Sequence, residues 1–180
     1  MKATTTALSG VIVIEPQAFS DNRGHFFESF NQRRFCELVA RDVSFVQDNQ
    51  SFSRNGVIRG LHYQLPPKAQ GKLVRVVVGE IFDVAVDIRK GSPHFGKWIG
   101  EILSAENKKQ LWIPEGFAHG FQVLSDTAEV LYKTTDYWSA SHERAVHWDD
   151  PTIRIAWPLK DALVISDKDR LAPSLQEAEY

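Results

Sequence analysis

The chain has 180 residues, 43% hydrophobic and 24% charged, with a net charge of −2. One soluble globular domain, residues 1–180, is expected, and nothing supports nucleic-acid binding through phosphate electrostatics. The single cysteine, Cys36, excludes an internal disulfide and a thiolate-rich metal site. Residues 1–7 lack the apolar core of a secretory signal, and no apolar run could span a bilayer, so a cytoplasmic protein without a membrane partner is expected.

In chain order, β-rich segments are predicted at 11–14 and 25–30, followed by a helix over 31–40. Asn31 can cap that helix, and Phe35, Leu38 and Val39 form its apolar face. Further strands are predicted at 57–63, 73–78, 81–88, 98–103, Gln110–Ile113, 118–123 and 130–135. Gly79-Glu80 suits a hairpin turn, and Gly91-Ser92-Pro93 and Ser104-Ala105-Glu106-Asn107 read as connections. From Pro158 onward only short irregular or helical pieces are expected. This spacing implies a mainly β fold: an antiparallel sandwich closing into a jelly-roll barrel whose interior can hold a ligand.

Arg59-Gly60-Leu61-His62-Tyr63-Gln64 and the run Lys72-Leu73-Val74-Arg75-Val76-Val77-Val78 are the most informative stretches. Strand side chains alternate with period two, so Lys72 shares a face with Val74, Val76 and Val78. An ammonium group on a valine-rich face must find a partner, shift its pKa or meet a ligand. By the same alternation His62 lies with Gln64, Asp83 with Ile81 and Ala85, His119 with Phe121 and Val123, and Tyr132 with Val130 and Thr134. Each alone is better read as a hydrogen-bonded core residue. Four on separate strands point to a polar cavity, the default form of a binding site.

Ile113-Pro114-Glu115-Gly116-Phe117-Ala118-His119-Gly120-Phe121 resembles the second motif of the cupin superfamily. Metal-binding cupins carry His-x-His in the first motif, whereas this chain has His62-Tyr63-Gln64. His62 and His119 with one carboxylate could make a facial metal site. The charge of Lys72 opposes a cation there, so a cupin barrel without a catalytic metal is expected.

A closer resemblance rests on Asp21-x-Arg23-Gly24-x-Phe26-x-Glu28, Gln47-Asp48-Asn49, Arg59-Gly60-Leu61-His62, Gly71-Lys72, Pro114-x-Gly116-x-x-His119-Gly120-Phe121, Tyr132-Lys133 and Lys168-Asp169. In order and spacing these are similar to the dTDP-4-dehydrorhamnose 3,5-epimerase family, from about residue 10 to about residue 173. The resemblance implies inversion at C3 and C5 of dTDP-4-dehydro-6-deoxy-glucose, with no cofactor. Both carbons flank the C4 ketone, so each α-proton can leave if the enolate is stabilised. The resemblance implies His62 as base, Asp169 as its partner, Lys72 facing the C4 oxyanion and Tyr132 as proton donor on the opposite face. Asp83 either orients Lys72 or forms a structural ion pair.

The same resemblance assigns Arg23 and Arg59 to phosphate or nearby contacts, which suits guanidinium geometry. Phe26, Glu28, Gln47 and Asn49 match nucleotide- and sugar-binding positions, although Gln and Asn at turns are commonly backbone caps. His119, Glu143 and Lys168 match further substrate contacts. Trp138 stands where the family commonly has a tyrosine stacking on thymine, and an indole face can also stack. A homodimer is implied, with the N-terminal strand crossing to the neighbour. The alternatives are a C3- or C5-only epimerase of a related deoxysugar nucleotide and a non-catalytic nucleotide-sugar-binding cupin.

Overall fold

A computed structural model describes residues 1–180. The chain opens with β1 (Lys2–Thr5), β2 (Ile12–Glu15) and the hairpin strands β3 (Ala18–Asp21) and β4 (Gly24–Phe27). Helix α1 (Gln32–Val39) follows, then β5 (Gln47–Arg54), β6 (Val57–Gln64), β7 (Lys72–Val78) and β8 (Glu80–Asp87). Next come β9 (Trp98–Ser104), β10 (Gln110–Ile113), β11 (Phe117–Val123) and β12 (Thr127–Thr134). Short β13 (Glu143–Ala145), β14 (Val164–Ile165) and helix α2 (Asp167–Arg170) complete the elements. No helix is long and apolar enough to cross a membrane.

Two sheets face each other, with strand orders β1-β2-β10-β7-β12-β5 and β13-β6-β11-β8-β9; β14 adds parallel to β6. All other pairings are antiparallel. Val13, Val74, Val76, Leu111 and Val130 of the first sheet meet Ile81, Ala85, Leu103, Phe121 and Val123 of the second in the central core. Outside the second sheet, Ile153, Ile155, Trp157 and Leu175 cover Ile58, Leu61, Val84 and Val86. Outside the first, Phe35 of α1 packs with Ile12, Ile14, Leu73 and Trp112. Double coverage explains why β8 and β11 read as nearly unbroken apolar runs: both faces are buried.

Helix α1 starts as expected. Asn31 caps it by accepting from the Arg34 amide, and Ala40 closes it in the left-handed region at φ 51°. Other boundaries depart from the sequence reading. The strand expected at 25–30 ends at Phe27, because Phe30 turns in to pack on Phe35 and Phe45 before the helix cap. Val78 does not share the inward face of Lys72: a register shift in the β7–β12 pairing turns it out, and it is exposed. Strand β5 lies outside the predicted set, since its inward residues Gln47, Asn49, Ser51 and Ser53 carry no apolar alternation. Gln47 and Asn49 therefore sit on a strand rather than in a turn.

Candidate active site

The polar inward residues gather in a cavity of about 260 Å³ lined by Gln47, Asn49, Arg59, His62, Lys72, His119, Tyr132, Trp138 and Glu143, among others. Both sheets contribute. Strands β5, β7 and β12 bring Asn49, Lys72 and Tyr132; β6 and β11 bring His62 and His119 as register partners. That partnership requires glycine on both strands. A Cβ on Gly60 would lie 2.5 Å from the Gly120 Cα, and one on Gly120 would lie 2.7 Å from the Arg59 carbonyl oxygen.

His62 Nε2 lies 2.6 Å from Oδ1 of the buried Asp169. A carboxylate only accepts, so Nε2 is the donor, and in the neutral imidazole that tautomer leaves the lone pair on Nδ1. Burial pushes the Asp169 carboxyl up, but the His62 hydrogen bond and charge, with the Ser166 hydroxyl and Gly60 amide, more than offset this and hold it below its ordinary value. Helix α2 makes the pair possible: Ser166 caps it by accepting from the Asp169 amide, which brings Asp169 over β6.

A second pair lies deeper. His119 Nε2 is 2.7 Å from Oδ1 of Asp83, which is fully buried. Burial lowers the His119 pKa against the opposing pull of Asp83. Asp83 thus bonds His119 directly rather than orienting Lys72, and its Oδ2 has no hydrogen-bond partner. Lys72 instead donates from Nζ to the His62 carbonyl oxygen at 3.2 Å, reaching from the first sheet to the second. Burial brings its pKa down to about 8, opposed by the charges of Asp83 and Glu143. Tyr132 is raised by burial and further by Glu143, with Arg59 acting the other way.

The cavity rim is ordered by its own contacts. Gln47 Nε2 donates to Asn49 Oδ1 at 2.9 Å, and Gln47 Oε1 accepts from the Trp138 amide at 3.0 Å. Arg59 Nε donates to Ser53 Oγ at 3.0 Å. Glu143 pairs with Lys168 of α2 at 2.7 Å; burial raises the Glu143 carboxyl, and Lys168 brings it net below its ordinary value. The Trp138 side chain is exposed at the rim, open to a stacking partner.

Three expected contacts are not brought together with these. Arg23 and Phe26 lie on the exposed β3–β4 hairpin, where Arg23 pairs with Asp21 at 2.5 Å; Glu28 follows the hairpin and bonds Asn31. None of the three lines the cavity. Sequence reasoning missed Ser51, whose buried hydroxyl lines the cavity without a hydrogen-bond partner. The all-polar inward face of β5 is the signal that reveals it.

The family model for dTDP-4-dehydrorhamnose 3,5-epimerase matches residues 5–177. The chain belongs to the dTDP-4-dehydrorhamnose 3,5-epimerase family. It is an isomerase with a cupin-type jelly roll. A dTDP-4-dehydrorhamnose 3,5-epimerase of Pseudomonas aeruginosa is 60% identical over 99% of this chain and 98% of its own length. A Legionella pneumophila epimerase solved with dTDP-4-keto-L-rhamnose superposes with a TM-score of 0.95 at 51% identity, covering 98% of this chain and 93% of that one. A 3'-monoepimerase from Streptomyces bikiniensis in complex with dTDP-quinovose shares the fold at TM-score 0.90 and 33% identity, over 95% of this chain and 86% of its own. Of these three, the two 3,5-epimerases are the more similar to this chain in sequence.

Proposed function

We propose that the chain, acting as one cytoplasmic catalytic domain, inverts C3 and C5 of dTDP-4-dehydro-6-deoxy-D-glucose in dTDP-L-rhamnose biosynthesis. One observation carries this reading. The His62–Asp169 pair and Tyr132 stand on opposite sheets around one cavity, with the buried Lys72 ammonium reaching between them.

His62 Nδ1 takes the α-proton, and the C–H electron pair moves into the C4 carbonyl. Asp169 stabilises the imidazolium that results. Lys72 meets the negative charge as it develops on O4, a fixed and buried cation. Tyr132 then gives a proton to the face opposite His62, which makes the outcome inversion rather than return. His62 releases its proton and Tyr132 regains one from solvent, and the second carbon follows the same course. Gln47, Asn49, Arg59, His119, Glu143 and Lys168 hold the sugar diphosphate, and Trp138 offers its face to thymine.

Arg23, Phe26 and Glu28 match the family's binding positions yet lie away from the cavity of their own chain. A homodimer in which this segment reaches the partner's cavity accounts for both facts.

NMR of the dTDP-sugar with the protein in deuterated water tests the reaction. Deuterium entering at both C3 and C5, with inversion, is the expected result. Label at one carbon only would indicate a mono-epimerase; no label would indicate a binding protein.

A further inference from the structure

Strand β13 is a three-residue edge strand, yet it presents Glu143 to the cavity. Edge strands this short open readily unless something holds them. Its register partners on β6 are Gln64, Tyr63 and His62, opposite Glu143, Arg144 and Ala145. Alternation puts Glu143, Gln64 and His62 on the cavity side and the Arg144–Tyr63 pair on the other.

Behind the strands, both members of that outer pair bind one residue. Arg144 donates from Nε and Nη2 to Glu179 Oε2 at 3.0 and 2.8 Å, and the Tyr63 hydroxyl donates to the Glu179 carbonyl oxygen at 2.5 Å. The remaining arm of Arg144 grips the backbone around Glu143: Nη1 donates to the Ser141 and Glu143 carbonyl oxygens, each at 2.9 Å. Glu179 is itself anchored, because Leu175 is buried and its amide donates to Asp150 Oδ2, while Tyr180 packs on Phe95.

We infer that Glu179 is a positioning residue for the substrate cavity: it sets the Arg144 guanidinium that fixes the backbone of Glu143, and with Tyr63 it clamps β13 to the strand that carries His62. The inference rests on the reaction proposed above. Glu179 touches no substrate; it acts through Glu143. The Arg144–Glu179 pair is partly exposed, so its loss leaves the fold intact.

The test is steady-state kinetics of the full chain with the dTDP-4-dehydro-6-deoxy-sugar, using E179Q, E143Q, the double variant and R144K. E179Q should raise KM about threefold to tenfold and keep kcat within about twofold. In the E143Q background it should add nothing, because both changes disable the same contact. R144K keeps the charge but cannot bridge a carboxylate and two carbonyls, so it should reproduce E179Q. An unchanged KM in E179Q, a wild-type KM in R144K, or a penalty that multiplies in full with that of E143Q would overturn the inference. Absence of turnover by the unsubstituted chain would overturn the assigned reaction, and this inference with it.

Discussion

His62 and Tyr132 enter the same cavity from opposite sheets, on β6 and β12 respectively. Removal and return of a proton can thus use different faces of one planar enolate. Tyr132→Phe keeps the ring and loses the hydroxyl, so the fold should persist. We expect deuterium exchange to continue while inversion falls, leaving labelled sugar of unchanged configuration. Inversion at the original rate would remove Tyr132 as donor. Equal loss of exchange and inversion would make it a positioning group.

His62→Ala should lower exchange at both carbons by about 10²–10⁴-fold, the usual contribution of a positioned base, with substrate binding largely retained. Asp169→Asn keeps the base but removes its charged partner. A loss of about tenfold to a hundredfold is expected, equivalent to one charge-assisted hydrogen bond. Calorimetry and NMR exchange rates on the two variants check this. Full activity in Asp169→Asn, or normal C3 exchange in His62→Ala, contradicts the dyad.

Lys72 must be charged to meet the enolate, and its pKa is depressed to about 8 from 10.5. The rate constant kcat/KM, which reports the free protein, should therefore fall as pH rises above about 8. Stability should move the other way. Between about pH 8 and 10.5 the unfolded chain binds a proton that the folded chain has released, so the contribution of this site to stability increases with pH. Lys72→Met should cost about 10²–10³-fold in kcat and remove this basic limb. A basic limb that survives the substitution assigns it to another group.

Activity should survive exhaustive chelation and dialysis. His62 and His119 each commit Nε2 to an aspartate, and Lys72 brings a positive charge to the same cavity. Loss of turnover restored by one particular divalent ion would reverse this expectation; measurement of rate against added metal after dialysis decides it.

Sedimentation should give a dimer, and two impaired variants should rescue each other if the hairpin serves the partner's cavity. A mixed dimer of Arg23→Ala and His62→Ala has one site with both defects and one with none. Random exchange of subunits should restore about a quarter of the sites. A monomer in solution, or no recovery on mixing, rules out the crossed arrangement.

Much of the site was legible because its residues break a pattern. Lys72 among valines, Asp83 between Ile81 and Ala85, and Tyr132 beside Val130 are polar positions on apolar faces, and alternation alone turns them inward. Strand β5 was not legible for the converse reason. Gln47, Asn49, Ser51 and Ser53 form an inward face with no apolar residue to mark it, since the first three line a polar cavity instead of the core and Ser53 accepts from Arg59. The bulge that exposes Val78 was equally hidden, being a property of the β7–β12 pairing and not of β7 itself.

The sequence by itself determined the class of fold, the helix with its Asn31 cap, the inward set of polar residues and, through its motifs, the family. Local periodicity and capping are enough for these, because each depends on residues a few positions apart. Only the tertiary structure decided the pairings. It gave Asp83 to His119 rather than Lys72, sent Lys72 to the His62 carbonyl, and set Arg23 outside its own chain's cavity. It also placed Glu179 behind Glu143. Such choices depend on distances between strands remote in sequence, and register and sheet order settle those distances when the two sheets close on each other.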